Sequence, residues 1–409
     1  MKQTTPEMDA KERRILLVTC FGHFISHFNM LVFPALLLPL ADRLNMDMAD
    51  VLGISFWMYL LFGITALPWG MAADRWGATV FLLIFYLGAG LSGLLAAFWI
   101  DSPPLLAICL AGIGLFSGIY HPAGLGWISK EIKRVSLGMA YNGMFGNLGL
   151  ATAPLLTGIV NWLWGPRAVY IALGILNLLG VGLIFISPKS ESVHIADTEP
   201  DKENDESLKS FLILLAAMML GGIAYRGATV IMPAYFELKN QGIFQWILSF
   251  TGGDLSKNVV ATSVTSFIYI IGMIGQYSGG RTAEKFDLRF SYLVYHLIAV
   301  PAAFFMCMAA DLPLVALAMI YFFFLLGMQP IENTLVARFT PKKFHHAAYG
   351  TKFVLTFGVG SLAVKMVGAI KVHKGIEAVF PALSLISLML VGVILILIYN
   401  TPRMQGSSE

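Results

Sequence analysis

The sequence predicts an all-α membrane protein of twelve transmembrane helices, arranged as two pseudo-symmetric six-helix bundles. Three observations carry that expectation. The chain of 409 residues is 57% hydrophobic and only 12% charged, with a mean hydropathy of +0.75. Soluble domains carry about 25% charged residues and cannot bury so much apolar surface. The apolar residues fall into twelve runs, each close to the roughly 20 residues that cross a hydrocarbon layer as a helix. Finally, a turn with Gly70, Asp74, Arg75 and Gly77 returns as Gly280, Glu284, Lys285 and Asp287, its acid 210 residues further on.

Taken in order, the runs are 15–41, 50–72, 78–100, 103–129, 136–164 and 166–187, then 208–236, 257–279, 289–310, 312–338, 345–371 and 375–399. Charged or Pro/Gly-rich breaks separate them. Of the 27 Lys and Arg, 18 fall in the terminal segments and the loops on their side. Six fall in the opposite loops, and three (Arg226, Lys352, Lys365) lie within spans. The positive-inside rule then puts both termini in the cytoplasm. Residues 188–207 are polar and acidic without apolar anchors, which predicts a disordered linker between domains 1–187 and 208–409. The connection from Glu237 to Lys257 holds Trp246 and Phe250 and suits either a short interfacial helix or a loop with a buried aromatic.

The duplication extends beyond the turn. Tyr120, His121 and Pro122 align with Met328, Gln329 and Pro330 at an offset of 208, and Ala140-Tyr141 aligns with Ala348-Tyr349 at the same offset. Parallel repeats of this kind build transporters. The cysteines (Cys20, Cys109, Cys307) sit in apolar runs without metal-type spacing, which suits packing. The first apolar run follows Lys11, Arg13 and Arg14 and is too long for the core of a cleaved signal.

Ionisable groups inside a bilayer cost about 2.5–3.5 kcal/mol or more and normally face a cavity, so they map function. Here they are His23 and His27 in span 1, His121 in span 4, Arg226 in span 7, His296 in span 9, Glu332 in span 10, and Lys352 and Lys365 in span 11. Arg226, beside Tyr225, calls for a bidentate anion: Glu332 or a substrate carboxylate or phosph(on)ate. If Lys352 takes Glu332, Arg226 is left for substrate. Lys365 suits snorkelling at the outer mouth. His27, with His23 one turn away, suits proton coupling or a satisfied cavity wall, and two histidines without a third ligand do not make a metal site. His121 before Pro122, with Tyr120 and with the repeat partner Gln329, forms a second candidate site. Asn142, Tyr141, Asn147 and Gln276 offer uncharged hydrogen bonds or helix packing.

These residues resemble the major facilitator superfamily. Its loop between spans 2 and 3 carries Gly-x-x-x-Asp-Arg/Lys-x-Gly-Arg-Lys/Arg, matched by Gly70, Asp74, Arg75 and Gly77, with Ala78 and Thr79 replacing the final basic pair. The second half matches through Gly280, Glu284 and Lys285. Ala140, Gly149, Ala153, Pro154, Thr157 and Gly158 are similar to the antiporter signature of span 5, although a bent, closely packed helix needs the same small residues. His27 and the stretch from Phe116 to Pro122 resemble the fosmidomycin-resistance exporters.

The resemblance implies that spans 1, 4, 7 and 10 line a central cavity, and that the Asp74–Arg75 turn latches the outward-facing state against a neighbouring helix end. Asp74 would meet a helix N-terminus and Arg75 a carboxylate. It implies a monomer in a bacterial inner membrane, working on a small molecule and protons, without cofactor, metal or nucleic acid. Arg226 and Lys352 against Glu332 leave the cavity positive, which favours an anionic or zwitterionic cargo. The expected function is proton-coupled export by exchange, with Arg226 as anchor and His27 or Glu332 as proton site. Proton-symport uptake of an organic anion, multidrug efflux and a non-transporting membrane sensor are the alternatives. No nucleophile–base pair points to an enzyme, and no Walker loop points to ATP.

Overall fold

A computed structural model describes residues 8–190, 205–340 and 345–403, and these are helical with no strand among them. The expected linker falls largely on 191–204, outside the described residues. Ten helices are individually long and apolar enough to cross a membrane. The remaining spans are hidden by one long helix and one broken one.

Span 1 is α1 (Ala10–Ala35), opened by a capping box in which Asp9 and Glu12 bond each other's backbone, and it continues as α2 (Leu37–Leu44). A 109° bend at residues 45–47, with Asn45 at φ +49°, turns the chain into span 2. That span is three pieces: α3 (Met48–Ile54), α4 (Phe56–Ile64) and α5 (Ala66–Trp76). At both breaks a hydroxyl bonds back into the preceding turn, Ser55 to the Leu52 carbonyl at 2.8 Å and Thr65 to that of Leu61 at 2.6 Å. Such back-bonding bends helices.

Span 3 is α6 (Ala78–Phe98), and span 4 is α7 (Pro103–Ser117) followed by α8 (Tyr120–Glu131). Next comes α9 (Val135–Ile186), 52 residues long. A straight helix of that length would run about 78 Å, more than twice a hydrocarbon core. It reverses at Gly165, whose φ of +79° an L side chain rarely adopts, and Pro166 restarts the next span. Spans 5 and 6 are therefore its two arms.

The second half repeats the plan. It comprises α10 (Asp205–Lys239), α11 (Gln241–Thr251), α12 (Lys257–Lys285), α13 (Leu288–Met306), α14 (Asp311–Phe339), α15 (His345–Phe353), α16 (Leu362–Lys374) and α17 (Val379–Tyr399). Of the two forms expected between Glu237 and Lys257, the helix is found: α11 leaves Trp246 and Phe250 exposed on its surface. Span 11 runs α15, a π turn over Val354–Gly358, a 3-10 turn over Val359–Ser361, then α16. Local π turns recur at functional sites because they re-aim side chains.

Two of the helix pairs between the halves approach closely. Span 2 lies against span 11 so closely that a Cβ on Gly63 would stand 2.0 Å from the Gly358 nitrogen. Span 5 lies against span 8, where a Cβ on Gly158 would stand 1.9 Å from the Thr262 hydroxyl. On the face opposite the termini, Asp47 pairs with Lys371, and Asn258 donates to the Ala35 carbonyl at 3.0 Å and accepts from Asn161 at 3.0 Å. Small residues permit this approach, and interhelical polar bonds hold it.

Candidate functional site

Arg226, on α10, is the centre of the site. It is only 3% exposed, and its guanidinium lies 4.0 Å from the Tyr59 ring centroid, with Tyr225 at 6.0 Å. Tyr59 is held by its own hydroxyl, which donates to the Met30 carbonyl on span 1 at 2.9 Å. No carboxylate among the described residues lies within 4 Å of Arg226, and its Nε has no hydrogen-bond partner. A cation–π contact offsets only about 2 kcal/mol when desolvated. A buried charge without a counter-ion costs several kcal/mol, so the arrangement calls for an anion.

The acid that was the alternative partner is engaged elsewhere. Glu332 is 3% exposed and Lys352 7%, and Lys352 Nζ lies 2.6 Å from Glu332 Oε1. Tyr292 donates to Glu332 Oε2 at 3.0 Å, and Lys352 donates to Asn333 at 2.5 Å. Four residues from spans 9, 10 and 11 thus satisfy one another. Tyr292 and Asn333 were not foreseen. Asn333 has a signal, a polar residue beside Glu332 in an apolar span; Tyr292 and Tyr59 have none.

Histidines from two spans converge. His27 Nε2 lies 3.1 Å from His23 Nε2, and the His121 ring stands edge-on to both, its centroid 5.2 Å from His23 and 5.3 Å from His27. His23 Nδ1 is 2.9 Å from the Asn142 carbonyl. A carbonyl only accepts, so Nδ1 carries the hydrogen and Nε2 presents its lone pair. Phe62 stands edge-on to His121, and Phe353 and Phe357 pack tilted against it. The sequence offered only two neighbouring histidines; the third arrives from span 4.

Tyr120 and Asn142, expected against substrate, bond to one another and to the backbone of span 1 beside the histidines. Tyr120 is fully buried and donates to the Thr19 carbonyl at 2.8 Å, while Asn142 Nδ2 donates to the Tyr120 hydroxyl at 2.7 Å. They pin spans 1, 4 and 5 together and thereby aim the carbonyl that orients His23. Gln329 accepts from Gln276 at 2.7 Å, and Gln276 in turn accepts from Asn147, a polar chain from span 10 through span 8 to span 5. His296 is buried and packs edge-on against Tyr292, behind the Glu332 group and apart from the three-histidine cluster. Lys365 is exposed, with its ammonium 4.2 Å from the Phe56 ring centroid.

The expected latch is built differently from the family pattern. Asp74 Oδ1 takes Lys130 Nζ of span 4 at 2.6 Å, a side chain rather than a helix N-terminus, because it ends α5 on the surface. Arg75 lies over Trp76 at 5.1 Å, with no carboxylate within 4 Å among the described residues. A Cβ on Gly70 would stand 3.0 Å from Pro122, so the turn is held against span 4. Gly77 takes φ +90°, and Thr79, where the family has a base, exchanges two hydrogen bonds with Ser190 at 3.0 and 2.8 Å. In the second copy Glu284 pairs with Arg281 on its own helix, at 3.4 Å; among the described residues Lys285 has no carboxylate within 4 Å, and Gly280 borders open space. The span 5 residues pack closely: a Cβ on Gly149 would come 2.2 Å from the Phe24 carbonyl, and Pro154 lies inside the helix beside Ser266, which bonds Leu155 N at 2.9 Å.

The family model described as Major Facilitator Superfamily matches residues 19–364. The chain belongs to the major facilitator superfamily. Among relatives of this superfamily protein, an uncharacterized MFS-type transporter, YfnC, of Bacillus subtilis (strain 168) is 23% identical over 384 residues, 92% of this chain and 90% of that protein. The class B tetracycline resistance protein of Escherichia coli is 25% identical over 286 residues, 68% and 69% of the two chains. Among solved structures, a bacterial homologue of the human lysosomal transporter Spinster superposes with a TM-score of 0.74 at 12% identity, covering 96% of this chain and 98% of that one. A D-xylose–proton symporter gives 0.75 at 13%, covering 98% and 100%. The superfamily fold of this multi-pass membrane protein is therefore shown, and its relatives are transporters.

Proposed function

We propose that this transporter carries a small organic anion, or a zwitterion through its acidic group, with Arg226 as the anchor. One observation supports the reading above the rest: a buried guanidinium with no carboxylate within 4 Å among the described residues, while Glu332 is already neutralised by Lys352. A carboxylate or phosph(on)ate would take the bidentate fork that no side chain takes. The 18-to-6 distribution of basic residues supports a cytoplasmic face for both termini.

Proton coupling is assigned to Glu332. Protonation there breaks the charge pair and frees the Lys352 ammonium, which raises the cavity's affinity for an anion. By linkage the anion raises proton affinity by the same factor. Positive linkage of this kind moves proton and anion together, which favours symport over the exchange expected from the sequence. Exchange-driven export remains the second reading, favoured by the likeness to a resistance protein and by the close span 5 contact at Gly149 and Gly158.

Proteoliposomes with an imposed pH gradient test both, screened over carboxylates, phosphonates and cationic drugs. Anion flux along the proton gradient supports symport, and flux against it supports exchange. Robust cation flux with no pH-driven anion flux overturns the proposal.

A further inference from the structure

We propose that His23, His27 and His121 form a binding site for one divalent transition-metal ion of the zinc–cobalt–nickel type. Each offers one ring nitrogen, and the three nitrogens lie within 4.8 Å of one another. Three imidazoles on a tetrahedral ion, at about 2.0–2.1 Å each, stand about 3.3 Å apart. His23 and His27 already stand at 3.1 Å, so a rotation of His121 closes the triangle.

The surroundings are those of a built ligand set. The Asn142 carbonyl fixes His23 with its Nε2 lone pair turned toward the cluster. A backbone oxygen of this sort is the outer-shell partner that ligating histidines use. Span 5 leaves room for the ring: a Cβ on Gly146 would stand 2.6 Å from His23 Nε2. His121 has no hydrogen-bond partner among the described residues, and phenyl rings surround it, so its nitrogens are held ready without being spent on the protein. His27 shifts its hydrogen to Nδ1 when Nε2 ligates.

An all-imidazole set with no carboxylate selects borderline ions over magnesium or calcium. Three protein ligands leave a fourth position open, as in sites that exchange ligands rather than closed structural ones. Three neutral imidazoles leave the ion's double charge uncompensated in a buried site, so an anion, chloride in the assay, completes the shell. The assignment stands on residues other than Arg226, and its failure leaves the anion reading untouched.

The test is a cobalt chloride titration of the full-length protein in detergent, after removal of any histidine tag. One equivalent should give the intense visible absorption of four-coordinate cobalt, displaced by zinc. Outer-shell losses cost metal sites about 10–100-fold, so His121→Ala or His27→Gln, each removing a ligand, should weaken binding by more than tenfold. His296→Ala, outside the cluster, should leave it unchanged. A faint six-coordinate spectrum, or a band that survives His121→Ala, overturns the site. Should His121→Ala aggregate, the wild-type protein decides: no zinc-induced rise in Tm at saturating metal also overturns it.

Discussion

Replacing Lys352 by Met would strip the buried Glu332 carboxylate of its ion-pair partner, and replacing Glu332 by Gln would do the reverse to Lys352. Both side chains are nearly inaccessible, 9% and 4% exposed, and the ion pair is 2.6 Å long. Breaking a buried pair from one side costs about 3–5 kcal/mol, because the remaining charge stays desolvated. The Glu332→Gln/Lys352→Met double variant strands neither charge. It forfeits the Asn333 bond and weakens that of Tyr292, about 1 kcal/mol each for ordinary hydrogen bonds. The double variant is therefore expected to be about 1–2 kcal/mol less stable than wild type, and more stable than either single variant. The assay is the free energy of SDS-induced unfolding in mixed micelles, followed by tryptophan fluorescence, for the four proteins of the cycle. Additive losses, with the double variant at the sum of the singles, would show that the two groups are not coupled and would refute the reasoning. In transport, Glu332→Gln should remove the pH dependence of anion flux while anion binding persists.

Other consequences follow from the same geometry. Arg226→Lys keeps the charge but loses the planar fork, and anion affinity should fall about tenfold, which is about 1.4 kcal/mol; unchanged anion binding in Arg226→Ala would remove this residue from the site. Asp74→Asn breaks a surface pair with Lys130 worth at most about 1 kcal/mol; turnover should drop sharply with substrate affinity largely intact, and normal turnover with a large affinity loss would contradict the latch role. Gly63→Leu drives a side chain into the Gly358 backbone and should abolish flux with the protein still inserted, as read by proteoliposome transport. Lys371, followed by the Ala49 N–H, holds the Asp47 carboxyl below its ordinary value of 3.8. A lowered carboxyl contributes above its unfolded value and loses that contribution as pH falls through the folded one. The Asp47–Lys371 tie should therefore weaken below about pH 4, and cysteine accessibility on that face should rise in Asp47→Asn at neutral pH as it does in acid.

Much of this protein was legible because bilayer physics writes directly into sequence. A span must be apolar for about 20 residues, so the runs at 78–100 and 289–310 reappear as Ala78–Phe98 and Leu288–Met306. Intramembrane charge is costly enough that Arg226, Glu332 and Lys352 stood out before any contact was known, with the pairing of the last two left as one of two options. The break at Gly165-Pro166 was visible because Gly and Pro interrupt a helix. Less was legible where a residue's role depends on what another helix brings. Tyr120 and Asn142 read as cavity groups, yet their polar atoms join helices, because a tyrosine in a span looks the same whether its hydroxyl meets cargo or a carbonyl. The Asp74 turn matched a family pattern, but its partner Lys130 lies 56 residues away and only packing names it.

Composition and spacing alone determined that the chain crosses a membrane many times, that its halves are duplicates, and which few ionisable residues it can tolerate inside. Those are one-dimensional properties, set by transfer energies that each segment meets by itself. Tertiary structure alone decided which charges cancel and which stay free. It left Arg226 over Tyr59 without a carboxylate, and it carried His121 from span 4 to the pair on span 1. Hydrogen bonds, ion pairs and ligand sets act over about 3 Å, and only folding brings residues nearly a hundred positions apart within that reach.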